Sequence, residues 1–235
     1  MEIIQSFYYS SNLQRQQEIE HTLRENLLKT FINKIHLFIE DKDYNMFAHS
    51  EFMVSSKICI ARLNEQPTYP QLFKYACTLN DTICCICNSD IEFKINDIDL
   101  FLIDKLKNEK TIYILSRHEH DMSKPQINRY HGSHDAVMFH STLFNIGFYT
   151  INASCINYIQ NTPGIEALLI IFFIEQMHFT LLNPCNQIIL IHNHRSQVRL
   201  WTSNRPRTVG YSNPTHTGGP GIHCSYMIRP CLIDN

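Results

Sequence analysis

The stretch TICCICNSDIEF, residues 82–93, begins apolar and ends abruptly in Asn88-Ser89-Asp90. A short apolar run without polar alternation reads as a strand buried on both faces of a sheet. Two readings of its polar end are open. Asn, Ser and Asp all favour turns, so a turn explains them. Alternatively, the sheet presents the Asp90 carboxylate to a cation or a ligand.

Working outward, the order of elements predicts the fold class. EIIQSFYY near the start reads as a strand, with Ser10-Ser11-Asn12 behind it as helix N-cap candidates. Ser11 with Gln14 fits a capping box, and Ile19, Leu23 and Leu27 recur every four residues on the inner face of a helix. KIHLFIE (34–40) and KICIARL (57–63) are the next strands, the first closing on Glu40-Asp41. Thr68 caps a helix over YPQLFKYACTL, with Pro70 in the tolerated first turn. The quoted stretch is the fourth strand, followed by a helix near DIDLFLIDKL and a strand at TIYILSR, 111–117. Strand-helix alternation with short connections predicts an α/β fold: a mostly parallel sheet flanked by helices on both faces.

The second half is less regular. DAVMFHS reads as a strand, GIEALLIIFFIEQMHF as a central helix apolar nearly all round, and QIILIHNH as a late strand. From Thr202 the chain is rich in Pro, Gly, Asn and Thr, which predicts an extended or mobile tail. With no internal repeat or low-complexity linker, a single domain over 1–201 and a tail over 202–235 is the expected organisation.

Bulk composition narrows the function. A chain of 235 residues, 44% hydrophobic and 18% charged, reads as soluble and globular. A net charge of -2 gives no broad basic surface, which argues against nucleic acid as a partner. MEIIQSFYYS lacks the charged and apolar regions of a signal peptide. The most apolar run, ALLIIFFI (167–174), is far below the ~20 residues of a membrane span, so no span is expected. The nine cysteines are an odd number, mostly within apolar runs, and read as free buried thiols of a reducing, cytoplasmic compartment. Cys84, Cys85 and Cys87 lack the second knuckle of a structural zinc site, and strand alternation sends Cys84 and Cys85 to opposite faces.

In open α/β sheets ligands gather beyond the carboxyl ends of the strands. Those ends carry Ser6 to Ser11, Glu40-Asp41, Arg62, Asn88-Ser89-Asp90 and Arg117-His118. Such a polar rim reads as a site. Asp90 suits a hard divalent cation shared with a phosphate. In ILIHNHRSQVR (189–199), His192 and His194 fall on one side of a strand, and the Arg199 fork suits a phosphate. A solvated strand end explains them equally well. Asp135, entering a strand behind Gly132, is either a strand-start turn or an active group. Glu166, in the first turn of the buried helix, gains from the helix dipole whether or not it is catalytic.

Taken together and in order, these stretches resemble a family of small GT-A-type glycosyltransferase-like proteins of bacteria and large DNA viruses. Its pattern runs from R-x-x-E through N-S-D-I-x-F, S-x-D-x-W-x-F and P-G-C-D-N to N-P-x-x-x-I-x-x-x-H-x-H-x-S-x-x-R. Here it is matched by Arg15 and Glu18, by Asn88 to Phe93, by Ser133-His134-Asp135 and by Pro163-Gly164-Ile165-Glu166. Asn183-Pro184, Ile188, His192, His194, Ser196 and Arg199 complete it, so the likeness spans about residues 3–201. Val137 stands at the tryptophan of the pattern, and Glu166-Ala167 at its Asp-Asn.

The resemblance implies a GT-A-like, Rossmann-type fold and a metal-dependent glycosyltransferase. Such an enzyme moves a sugar from a UDP- or GDP-sugar donor to a glycan or other hydroxyl acceptor. It implies Asp90 as ligand to Mn²⁺ or Mg²⁺, with His192 or His194 as further metal or phosphate contacts. Phe7 or Tyr8, Glu40 and Asp41 would hold base and ribose, while Arg62, Asn88, Ser89 and Arg199 line the donor side. Asp135 or Glu166 would take the proton of the attacking hydroxyl. Two other readings use the same residues: a two-metal phosphate or nucleotide hydrolase, and a non-catalytic carbohydrate- or partner-binding module.

Overall fold

The structure is a computed structural model that describes residues 1–119, 134–149, 151–160, 162, 164–196, 198, 231 and 233. In chain order the elements are β1 (Glu2–Phe7), α1 (Leu13–Leu28), β2 (Lys34–Glu40), α2 (Asp41–Ala48), β3 (Ile58–Leu63), α3 (Tyr69–Ala76), β4 (Ile83–Cys87) and β5 (Ile91–Phe93). There follow α4 (Leu100–Asn108), β6 (Thr111–Ser116), β7 (His118–Glu119), β8 (His134–His140), α5 (Ser141–Phe148), α6 (Ile165–Ile171), β9 (Thr180–Leu182) and β10 (Leu190–His192).

Seven strands form one sheet in the order β3-β2-β1-β4-β8-β6-β9. All neighbours are parallel except β8, which runs antiparallel to both β4 and β6. The expected mostly parallel sheet flanked by helices is therefore what forms, with one reversed strand in it. Reversal matters for the site, because it puts the start of β8, not its end, on the same rim as the ends of β1, β2 and β4. A small second sheet, β5-β10-β7, stands beside this rim.

Both faces of the large sheet are covered, which is why its strands are apolar without alternation. Ile3, Cys85, Cys87 and Leu115 face the core beneath α1, while Ile4, Cys84, Ile86 and Ile114 face the core built around α3, α5 and α6. Cys84 and Cys85 thus point to opposite sides, as strand alternation requires. All eight described cysteines are free thiols. Phe73 on α3 stacks on Phe144 of α5 with ring centroids 5.0 Å apart, at the centre of an aromatic cluster. Ile165 and Leu168 to Phe173 are buried against it, in α6 and the start of one turn of π-helix from Phe172 to Gln176 whose last three residues are exposed. Among the described residues no helix is long and apolar enough to cross a membrane.

Three details differ from the sequence reading. The cap of α1 is Asn12, whose side chain accepts the Arg15 N–H at 2.9 Å, rather than Ser11. Gln16 instead reaches back to accept the Ser10 N–H at 2.8 Å. The helices α2 and α5 follow β2 and β8 without an intervening loop, so no turn residues announce them. And the quoted stretch 82–93 is two strands in two sheets, broken at Asn88 to Asp90. For α3, Thr68 and Pro70 stand as read, with the Gln71 side chain accepting the Thr68 N–H at 2.8 Å. Most of the expected tail, 202–230, lies outside the described residues; Cys231 and Ile233 are bonded back to Asn183 and Gln187.

Candidate metal centre and functional site

The break after Cys87 is what creates the site. β4 ends, the Ile91 N–H returns to the Asn88 carbonyl at 3.2 Å, and the chain leaves the large sheet for β5. β10 pairs antiparallel with β5, with His192 opposite Ile91. The Asn193 N–H then donates to the Asp90 carbonyl at 2.8 Å. This register brings His192 to a carboxylate 102 residues earlier, and His194 follows just beyond the end of β10.

His192 Nε2 lies 3.1 Å, and His194 Nδ1 3.4 Å, from Asp90 Oδ2. The two imidazole rings have centroids 5.2 Å apart. One ligand atom from each of the three residues lies within 4.8 Å of the others, a spacing that suits a single ion. Arg15 Nη2 donates to the same Asp90 oxygen at 2.7 Å. Burial opposes the Asp90 charge, but hydrogen bonds from the two histidines and the Arg15 charge hold its carboxyl well below the usual range. Its other oxygen, Oδ1, is buried and has no hydrogen-bond partner among the described residues. A buried carboxylate oxygen left unsatisfied is costly in an apo protein and is what a cation ligand requires. The residues therefore fit a divalent ion.

A second polar group lies on the same rim. Asp135, at the start of β8, takes a two-pronged ion pair from Arg117 Nη1 at 2.9 and 3.1 Å. It also accepts from Asn88 Nδ2 at 3.3 Å. Glu166, in the first turn of α6, is partly buried, and burial with the Asp135 charge pushes its carboxyl up to about 7. The two carboxylates expected as alternative bases are thus near one another but differently held, Asp135 by a guanidinium and Glu166 by desolvation.

On the donor side the expected residues separate. Phe7 is in the core, edge-on to Phe47 at 5.0 Å, so it presents no face to a base. Tyr8 remains partly exposed, its hydroxyl accepting from Arg15 Nε at 3.2 Å. Glu40 precedes α2 and pairs with Lys42 at 2.9 Å. Asp41 and Arg62 are exposed and paired with each other at 2.8 Å, with the guanidinium 4.1 Å from the Tyr44 ring. Ser89 is buried in the turn between β4 and β5. Arg199 lies outside the described residues.

Two residues of the rim carry no sequence signal. Asp43 is buried, accepts the Tyr9 N–H, and burial raises its carboxyl above the usual range; its Oδ2 has no partner among the described residues. Only the packing of α2 distinguishes it from exposed Asp41. Gln160 accepts the Ser6 N–H at 2.9 Å and donates to the Cys87 carbonyl at 2.7 Å, joining the ends of β1 and β4.

Comparison with solved structures fits this layout. Residues over 91% of the chain superpose on 46% of GalNAc-T7, solved with UDP, GalNAc and Mn²⁺, at a TM-score of 0.54 and 12% identity. The chain has a GT-A-type fold. A 4-diphosphocytidyl-2C-methyl-D-erythritol synthase from Anaerococcus prevotii matches over 86% of this chain and 92% of its own, with a TM-score of 0.51 and 15% identity. The mannosyltransferase PcManGT from Pyrobaculum calidifontis, solved with GDP-Man and Mn²⁺, matches over 82% of this chain and 56% of its own, with a TM-score of 0.50 and 9% identity. At these identities the likeness is one of fold. No protein-family profile and no curated protein sequence matches the chain.

Proposed function

We propose that the protein is a metal-dependent glycosyltransferase that moves a sugar from a nucleoside-diphosphate sugar to a hydroxyl acceptor. The observation that carries the reading is Asp90 with His192 and His194 at one point on the rim, with a buried carboxylate oxygen left over. One carboxylate with two imidazoles suits Mn²⁺ or another first-row ion better than Mg²⁺, which prefers oxygen throughout. When bound, such an ion offsets the charge that develops on the departing diphosphate.

The chain's own residues divide the remaining work. Asp90, His192 and His194 would hold the ion; Tyr8, just after β1, and Asp43, in the first turn of α2, offer a ring face and a carboxylate to the nucleoside. In the transfer step the acceptor oxygen bonds to the anomeric carbon as the carbon–oxygen bond to the diphosphate breaks. The electron pair of that bond stays with the diphosphate. Glu166 takes the hydroxyl proton, since a carboxyl near neutrality is matched to that task, while Arg117 ties Asp135 into a supporting role.

A second reading has one observation in its favour. The diphosphocytidyl-methylerythritol synthase is covered almost end to end, whereas the two sugar-transferring neighbours are covered only in part. On that reading the same centre binds a nucleoside triphosphate and joins its nucleotide to a phosphorylated sugar, releasing pyrophosphate. The two-metal hydrolase is less well supported, because the described residues contain one ligand cluster.

Thermal denaturation with UDP, GDP, CDP and their sugars, with and without Mn²⁺, tests the proposal, because ligands that bind the native state raise its stability. Stabilisation by a nucleoside diphosphate only when Mn²⁺ is present supports it. Pyrophosphate release from a triphosphate plus a sugar phosphate, without donor-sugar turnover, replaces it with the second reading.

A further inference from the structure

The metal ligands do not come from one rigid element. Asp90 sits in a turn after β4, and His194 lies beyond the end of β10, in the stretch that leads to Ser196. Something must hold these two turns together, because a ligand displaced by about 1 Å loses much of its value in a positioned site. The structure assigns that task to α1.

One helical turn supplies both grips. Arg15 donates through Nη2 to Asp90 Oδ2 at 2.7 Å and through Nη1 to the Asn193 carbonyl at 3.3 Å. Three residues on, Glu18 accepts the Ser196 N–H at 2.6 Å on Oε1 and the Ser196 hydroxyl at 2.8 Å on Oε2. Arg15 Nη1 and Glu18 Oε2 are themselves 3.3 Å apart. Residues three apart on a helix share a face, so the pair acts as one bracket. Arg15 and Glu18 close on Asn193 and Ser196, which flank His194. Glu18 touches none of the three ligands, and both its oxygens are occupied by the loop.

We infer that Glu18 and Ser196 form a latch that positions His194, and with it the metal centre, and that they are not merely structural. The inference rests on the metal-site reading above. Glu18 and Ser196 meet although they are 178 residues apart in the chain. Outer groups that orient metal ligands typically contribute about 10- to 100-fold in metal affinity.

The test is Mn²⁺ titration followed by electron paramagnetic resonance, on the full chain and on Glu18→Ala, Glu18→Gln, Ser196→Ala and Asp90→Ala, with thermal unfolding of each metal-free protein alongside. Expected is a loss of about tenfold or more in Mn²⁺ affinity in Glu18→Ala, a smaller loss in Ser196→Ala, and partial recovery in Glu18→Gln, which keeps an acceptor for the Ser196 N–H. The metal-free melting points of Ser196→Ala and Glu18→Gln should stay near that of the parent. The double variant Glu18→Ala/Ser196→Ala should lose no more than Glu18→Ala alone, because the two act through one contact. If the parent binds Mn²⁺, Asp90→Ala does not, and both Glu18→Ala and Ser196→Ala bind within twofold of the parent, the latch is wrong and the centre stands. A parent that binds no Mn²⁺ overturns the centre and the latch's role together.

Discussion

Arg15 on α1 and Asp90 after β4 are 75 residues apart in sequence, and their side chains meet at 2.7 Å, both almost wholly buried. Buried ion pairs are not strong stabilisers in themselves, but removing one partner strands the other charge. The pair therefore ties the first helix to the candidate metal centre in a way that either side's removal should expose.

Replacing Arg15 with methionine keeps the volume and leaves the Asp90 carboxylate buried without its guanidinium. Metal-free Arg15→Met should lose about 3 kcal/mol in urea unfolding, the size expected for a broken buried pair. A loss below about 0.5 kcal/mol, the level of an ordinary surface change, would show that the contact carries no weight.

Asp90→Ala should abolish the Mn²⁺-dependent thermal shift and leave a folded protein. The alanine removes the oxygen that has no partner among the described residues as well as the one that Arg15 and the histidines share. His192→Ala should weaken the shift without abolishing it, since two ligands remain. Retention of the full shift in Asp90→Ala would remove this residue from the ligand set.

Glu166 gives a pH prediction whose sign is fixed by its raised value. Its carboxyl ionises near 4.5 when unfolded and near 7 when folded, so between these the native state keeps a proton that the unfolded chain has released. The group therefore costs stability as pH rises from about 4.5 to 7, and the cost is complete above that. Glu166→Gln, which has no charge to bury, should be more stable than the parent at pH 8 by about 3 kcal/mol, or about 6–12 °C in Tm, and no more stable at pH 4. The same variant should lose about 10²- to 10⁴-fold in kcat if Glu166 is the base. A transferase rate within threefold of the parent would pass that role to another group.

Asn26, fully inside α1, substitutes for a missing strand. Its amide donates to the Ile91 carbonyl at 2.9 Å and accepts the Phe93 N–H at 3.0 Å, completing the free edge of β5. Asn26→Ala orphans two buried backbone groups and should cost about 2–4 kcal/mol in chemical unfolding. Asn26→Leu, which restores bulk but not the hydrogen bonds, should not recover it.

Part of this site was legible before any coordinates. Asp90, His192 and His194 stood out as polar residues at the ends of apolar runs; a turn or a solvated strand end explained each singly, and the structure brings the three together. Phe7 was misassigned for a related reason: at the end of a strand, one residue faces the site and its neighbour the core, and aromatic character does not say which. Asp43 and Gln160 were missed because neither belongs to a run with a period or a motif. Their importance lies in a buried position and in partners such as Ser6 and Cys87, far away in the chain.

Apolar runs punctuated by caps and turns determined the order of strands and helices, and with it a layered α/β fold, because local periodicity reports which faces must be hidden from water. What the chain cannot state locally is register and strand direction. The reversal of β8, the exit of residues 91–93 into a second sheet, and the pairing of His192 opposite Ile91 arise only when distant segments compete for the same hydrogen bonds. Those choices place two imidazoles and a guanidinium on one carboxylate, since contacts such as those of Arg15 and His192 with Asp90, across 75 and 102 residues, are set by packing of the whole molecule.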